Sequence, residues 1–586
     1  MAPNSVTLAA TDIPGTVYLI DLDHHETVAA HAGRNHDIVL VPQPMRTARD
    51  PLNWARSKKL WSLLLAAFYA CVMSFGENNL GAAWTQISVE TDVTLNNMNG
   101  GSALNYLLLG FVNILWIPTA MKIGRKFVYI SSMLINMAAA LWNAYIYGTA
   151  QWYLNNAFGG VGTSAYEALI QLTVFDIFFA HQRGTALAFY IWGQQLGSIL
   201  GLILGGYIAE GPGWRWGCKI VALLSALVIL LFIFTFDDSL FPRHVFRTLN
   251  QSTQTALVVT ETTDTLGKKD GSELQGESKS DLPVTRQLTL TEGDMNRSRT
   301  YWEILSPIQR FPEDKTTWWQ YFRRPFVLFF FPNIVLVSSL FDHRGAILTV
   351  SKAGIIFAFG CTAGKLNLLF QQQCQELKAD FYAGIVSFNT ISEILTEDPY
   401  DWGTGPTGLV FLAALVGSFI GMGTGYLGDL IVLRLARRNK GYKEPEMRLW
   451  TLSLSFIYGG VGYFSYGWTA EAGSSWVGIA IGLGAMIAQQ VSATSIATTY
   501  AMECFEGISG ELVVVLAICS SCINFAMSFS VQPLIDATDY GRAFTFFGCL
   551  VLGSMALAVP IGIWGKYWRS RCAEKYRKFV AEAVTI

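Results

Sequence analysis

Four polar residues, Asn156, Thr163, Glu167 and Gln171, punctuate an otherwise apolar run at residues 152–175. Their spacings of 7, 4 and 4 residues put them on one face of a helix turning at about 100° per residue. An ionisable group inside a membrane span costs about 2.5–3.5 kcal/mol on insertion scales, so Glu167 reads as functional. A carboxylate there can hold a cation or exchange a proton. Glu77, with Asn78 and Asn79, closes an earlier apolar run and either belongs to the same pathway or marks the outer end of its helix. Glu393, four residues after Asn389, carries the same two readings. Gln489 and Asn524 are neutral and read as interhelical hydrogen-bonding groups or cavity lining. No mid-membrane Lys or Arg pairs with these carboxylates, and no His lies in the clear apolar runs. A site for phosphate or carboxylate solutes would want such a cation. The pattern therefore favours a cationic or amphipathic solute, with any proton exchange at a carboxylate.

The elements that must position these groups are membrane helices. The chain has 586 residues, of which 52% are hydrophobic and 14% charged, against about 25% charged in a soluble protein. The charges crowd into a few loops. This composition excludes a soluble multidomain enzyme, and a net charge of −2 gives no reason to expect nucleic acid. No nucleophile–base pair, ATP-binding motif or metal-ligand cluster is evident. Gly423-x-Gly425-x-x-Gly428 fits a dinucleotide pattern, but it follows a long apolar run rather than a strand and reads as packing. Cys519 and Cys522 form a CxxC inside an apolar run, where packing is the better reading than redox chemistry. Runs of the length a bilayer core requires fall at 60–76, 101–117, 127–147, 152–175, 185–209 and 216–236. A second set follows at 326–394 (broken), 407–433, 449–468, 476–502, 512–535 and 543–564. The expected plan is a polar arm at 1–59, a six-helix half at 60–236, a disordered linker at 237–325, a second half at 326–565 and a tail at 566–586. Of the 41 Lys and Arg residues, 34 fall in the arm, linker, tail and loops of one parity and 3 in loops of the other. The positive-inside rule then places both termini and the linker in the cytoplasm.

Several strings resemble one family. They include the arm motif Ile38-Val39-Leu40-Val41-Pro42-Gln43-Pro44 and Asp50-Pro51-Leu52-Asn53-Trp54, then Gly124-Arg125-Lys126 after the second span. Further strings are Gly425-x-x-x-Asp429 with Arg437-Arg438, Glu444 to Trp450, Asp176 to Gly184, and Thr499 to Glu511. In this order and on these sides they resemble the major facilitator superfamily. The likeness is greatest to the fungal branch near drug:proton antiporters and polyamine or histidinol-type carriers. The resemblance implies an all-α membrane fold of 12 helices in two six-helix halves joined by a long cytoplasmic loop. It implies a small-molecule substrate, protons and the lipid bilayer as partners, a monomer, no cofactor and a plasma-membrane address. Alternating access would serve a drug- or polyamine-like solute. A uniporter or sugar-type facilitator and a non-transporting receptor on the same fold are the alternatives. Two departures weaken the proton-antiport details: Met121 stands where the family often has Asp, and Asn156 where many relatives have Arg.

Arg125, Lys126, Arg437 and Arg438 serve topology, or topology together with a gate whose ion pairs form in one conformer. Gly193, Gly197, Gly201 and Gly205, followed by Gly206, make a stripe that lets another helix approach closely. It resembles the antiporter motif of the fifth span, with Leu202 in place of Pro, and a packing seam is the better reading. Residues 337–379 read as an insertion the fold does not need, because charged and amide residues interrupt the seventh span. A retained intron would explain it and would leave the protein as written poorly active.

Overall fold

The computed structural model describes residues 13–20, 31–32, 35–45, 47–241, 243, 299–309, 316–330, 391, 394–395, 399–402, 404–528, 538–556 and 558–585. The first half contains α1 (Arg56–Asn78), α2 (Trp84–Thr91), α3 (Leu95–Phe111), α4 (Asn113–Lys122), α5 (Arg125–Asn143), α6 (Thr149–Thr163), α7 (Ala165–Ile177), α8 (Arg183–Glu210) and α9 (Trp214–Thr235). The second contains α10 (Tyr301–Leu305), α11 (Trp318–Phe330), α12 (Thr404–Leu409), α13 (Phe411–Arg438), α14 (Leu452–Glu471), α15 (Trp476–Cys504), α16 (Ser509–Ser528), α17 (Tyr540–Ala556) and α18 (Ala558–Thr585). Four short strands, β1 (Val17–Tyr18), β2 (His31–Ala32), β3 (Asn35–Val39) and β4 (Tyr442–Lys443), make two small antiparallel pairs, β1–β4 and β2–β3.

Among the described residues, seven helical stretches are long and apolar enough to cross a bilayer. Their outward faces carry large apolar side chains, with Leu223 71%, Val416 61% and Ile563 67% exposed. Such a surface fits lipid, since in water it would be an association patch. The second and fourth spans are each two helices meeting at one residue, Val112 and Ser164, both of right-handed helical φ/ψ.

Within the first half, α1 packs along α8, and α5 along α9 and α6. Within the second, α13 and α14 flank α15. The halves meet where α8 packs on α13 and α15, and where α3 and α4 meet α16 and α11. The glycine stripe makes the α1–α8 seam. A Cβ on Gly193 would lie 3.0 Å from the Ala67 carbonyl oxygen, on Gly197 2.0 Å from that of Cys71 and on Gly205 2.1 Å from that of Asn79. Gly206 is buried on the same helix.

The region expected to be a disordered linker is docked at both ends. Arg299 pairs with Asp237 at 2.6 Å, and the amide of Gln309 donates to the Ile123 carbonyl at 2.8 Å. Buried Asp237 and Asp238 need donors, and the far end of the linker supplies Arg299. The seventh span opens earlier than expected, with α11 starting at Trp318. The suspected insertion at 337–379 lies outside the described residues.

Candidate functional site

Glu167 stands in the first turn of α7, half-buried, beside the hydroxyl of Tyr166 at 3.5 Å. Gln194 of α8 donates to that hydroxyl at 3.0 Å. One turn further along α7, Gln171 donates to Tyr190 of α8 at 3.2 Å. The inner part of the polar stripe thus faces the fifth span. Glu77, near the end of α1, is close enough to Glu167 to interact with it, and Tyr166 lies in contact with both carboxylates. Glu77 Oε1 has no hydrogen-bond partner.

The outer part of the stripe lines a cavity of about 120 Å³ inside the first half. Asn156 and Thr163 border it together with Glu77, Asn105, Asn143 and Trp152. Asn156 and Thr163 also bond their own helix, donating to the carbonyls of Trp152 at 3.0 Å and Gly159 at 3.3 Å. Asn105 Oδ1 and Asn143 Oδ1, by contrast, are buried acceptors without a donor. A carboxylate oxygen and two amide oxygens left open around a polar space suit a compact donor such as an ammonium head or water. No Lys or Arg borders this cavity among the described residues.

Of the other expected pathway residues, Asn389, Glu393 and the side chain of Asn524 lie outside the described residues. Gln489 sits elsewhere, in the second half, where its Nε2 faces the Met555 sulfur at 3.5 Å.

The loop after the second span is held by its own half and by the segment around α10. Gly124 has φ +127°, and a Cβ there would sit 2.3 Å from Asp238 Oδ2, so glycine is required for both conformation and space. Asp238 accepts from the amides of Arg125 and Lys126 at 3.1 and 3.2 Å, capping α5. Burial pushes its carboxyl pKa up, against these donors and the nearby Arg125 and Arg299. The Arg125 guanidinium pairs with Asp176 at 3.1 Å, and Lys126 donates to the carbonyls of Ile233 and Ile304. Met121, where the family often has Asp, makes an apolar contact with Gly510 of the other half.

The corresponding loop of the second half reaches across. Asp429 Oδ2 accepts from the amide and hydroxyl of Thr185 at 2.7 and 2.6 Å, at the N-terminus of α8. There the helix dipole favours a negative charge. Asp429 Oδ1 accepts from Arg448 at 2.7 Å, Arg448 reaches Glu503 at 3.1 Å, and Lys443 pairs with Glu503 at 2.7 Å. Lys443 also donates to Ala180 in the first half at 3.3 Å. Burial pushes the Lys443 ammonium pKa down, with Glu503 opposing. These four side chains are 2–5% exposed. Gly425 brings α13 onto α8, since a Cβ there would lie 2.4 Å from that of Ala188. Arg437 and Arg438 are exposed at the end of α13, outside this cluster. Sequence reading missed Lys443, Arg448 and Glu503 as a group, although Arg448 and Glu503 stand in the motif strings.

Comparison with known proteins gives a consistent picture. The sequence model described as Major Facilitator Superfamily matches residues 66–510. An uncharacterised MFS-type transporter of Schizosaccharomyces pombe is 28% identical, covering 97% of this chain and 94% of its own. Protein HOL1 of Saccharomyces cerevisiae is 24% identical over 94% of each chain. The MFS antiporter QDR3 of Candida albicans is 22% identical, covering 89% of this chain and 79% of its own. Among solved structures, the proton:xylose symporter XylE superposes with a TM-score of 0.52 at 11% identity, covering 86% of this chain and 95% of that one. That likeness concerns the fold alone.

Proposed function

The chain belongs to the major facilitator superfamily of multi-pass membrane transporters, and from that premise we propose that it carries a small organic cation by alternating access coupled to protons. The observation that carries the reading is the pair Glu77 and Glu167 about Tyr166, next to an amide-lined cavity with no bordering Lys or Arg among the described residues. A carboxylate that holds either a proton or an ammonium head, never both, links the two movements. Alternating access then exposes that choice to each side in turn. Asp429, Arg448, Glu503 and Lys443 act as a latch between the halves, closed in this conformation, and biasing such a latch shifts the equilibrium between inward and outward states. The charge asymmetry of the loops supports cytoplasmic termini, and a plasma-membrane carrier working as a single chain is the simplest setting. QDR3 is named an antiporter, which agrees with proton exchange.

The test is flux of a labelled alkyl diamine into proteoliposomes, with and without a pH gradient. Glu167→Gln keeps shape and removes charge. We expect normal folding and at least about a tenfold loss of gradient-driven flux, equivalent to about 1.4 kcal/mol. Undiminished flux with unchanged pH dependence in the Gln variant would remove Glu167 from the mechanism. Wild-type flux indifferent to the gradient would instead mark a facilitator.

A further inference from the structure

Residues 13–20 run across the ends of the second-half helices, on the face that carries the latch. Strand β1 pairs antiparallel with β4, Val17 opposite Lys443 and Tyr18 opposite Tyr442. The two tyrosine rings meet edge to face at 5.2 Å. The amides of Leu19 and Ile20 both donate to the Gly441 carbonyl, at 2.9 and 3.1 Å. Arg569 of α18 donates to the Pro14 carbonyl and the Thr16 hydroxyl. Gly15, at φ +79°, lies against the end of α15, where a Cβ would sit 2.8 Å from the Glu503 carbonyl oxygen. Leu19 and Ile20 are 0% and 1% exposed and pack with Ile38 and Ala436.

The same arm also holds the first half. The amide of Val39 donates to the Leu19 carbonyl at 2.9 Å, and Ile20 bridges to Ile38. Ala180, between α7 and α8, donates to the Val41 carbonyl at 2.8 Å. Asp50, fully buried, pairs with Arg243 at 3.1 Å shortly before α1 begins. A relay of main-chain hydrogen bonds therefore leads from Gly441 through Leu19, Val39 and Val41 to Ala180, from one half to the other.

We propose that residues 13–20 are a strap that holds this face shut and must detach at the β1–β4 pairing before the face can open. The inference rests on alternating access. In such carriers one half rocks against the other about a fixed site, which moves Gly441 away from Ala180. Hydrogen bonds of about 2.9 Å do not stretch with a hinge; they break. The end that breaks is residues 13–20, because residues 38–54 run directly into α1 and travel with the first half. Release exposes Leu19 and Ile20 to water, so the strap weights the equilibrium toward the closed face. Its engagement sets how often the face opens, independently of what occupies the central cavity.

The test uses the full chain in proteoliposomes and a water-soluble maleimide. Ser495→Cys places a thiol under the latch, at a position 1% exposed whose hydroxyl donates to Gly184 across the halves at 3.2 Å. Modification is read on the chymotryptic peptides within residues 477–500, which hold no native cysteine. Deleting residues 13–20 should raise the labelling rate at least about threefold, the change expected when a minor open state gains population. In a second protein, Tyr18→Cys and Tyr442→Cys are added and oxidised to a cross-link. Labelling and diamine flux should both fall, and reductant should restore them. This arm keeps the test decisive if the deletion fails to fold. Labelling that responds to neither change would overturn the strap while leaving alternating access standing. A position 495 that never labels, in a protein that transports, would sink alternating access at this face and the strap with it.

Discussion

His181 lies between α7 and α8 beside the latch, with Nδ1 buried and without a hydrogen-bond partner. Its ring stacks on Phe179, the planes 3° apart. Burial pushes the imidazole pKa down to about 4, with Asp429 pulling the other way and Lys443, Lys59 and Arg183 adding to the drop. A folded-state pKa below the ordinary value means the neutral ring suits this conformation. Its contribution is full above about pH 6.5 and is lost as pH falls toward 4. We expect the melting temperature of the detergent-solubilised protein to drop between pH 7 and 4.5. His181→Gln should make that drop shallower, and parallel curves for the two proteins would show that His181 takes no part. At this scale the sequence was partly legible. Glu167 and Asp429 declared themselves, one as a lone charge in an apolar run and the other through its spacing from Gly425. Arg437 and Arg438 stood out only because they are adjacent, and they end a helix where cations favour the dipole. Arg448 was hidden, because only the fold brings the turn after β4 back under α13 and against Glu503.

The elements show a similar split between period and contact. Glycines at every fourth position of α8 mark a seam in the sequence itself, but only the fold identifies its partner, the backbone of α1. Gly197 is the tightest point, so Gly197→Val must push α1 away or strain both helices. Overpacking of this kind costs about 1–3 kcal/mol, and we expect a clearly lowered melting temperature and reduced yield. Gly423 of α13 provides the contrast, since a Cβ there meets nothing within 4 Å. Gly423→Ala should leave the melting temperature unchanged or slightly raised, because alanine is the better helix former. Equal effects of the two substitutions would contradict the seam. Helices of 20 residues or more were readable from hydropathy, whereas β1 and β4 were not. Two-residue strands carry no period, and their pairing joins Val17 to Lys443 across most of the chain. The linker's described ends show a related split, since composition gives no sign of single contacts such as Arg299 with Asp237.

For the whole molecule, the described residues fix the parity of the fold. The arm, the loop carrying Lys443 and the start of the C-terminal tail share one face, because Tyr18 pairs with Tyr442 and Arg569 bonds Pro14. Gln309, bonded to the Ile123 carbonyl, puts the entry to α11 on that face as well. Helix α12 lies at the opposite face, with Gly408 packed near Ile203 late in α8. From Trp318 to Thr404 the chain must therefore cross once in net terms. A single span of about 20 residues satisfies this, and joining Leu336 directly to Phe381 supplies one. We propose on that ground that residues 337–379 are surplus to the topology, since one added crossing would carry the basic loop and tail to the wrong side. We expect deletion of 337–380 to preserve membrane delivery and to raise diamine flux, and transcripts lacking the corresponding stretch to be found in the source cells. Messages that always retain the segment, together with a deletion variant that fails to fold, would show that the seventh span needs it.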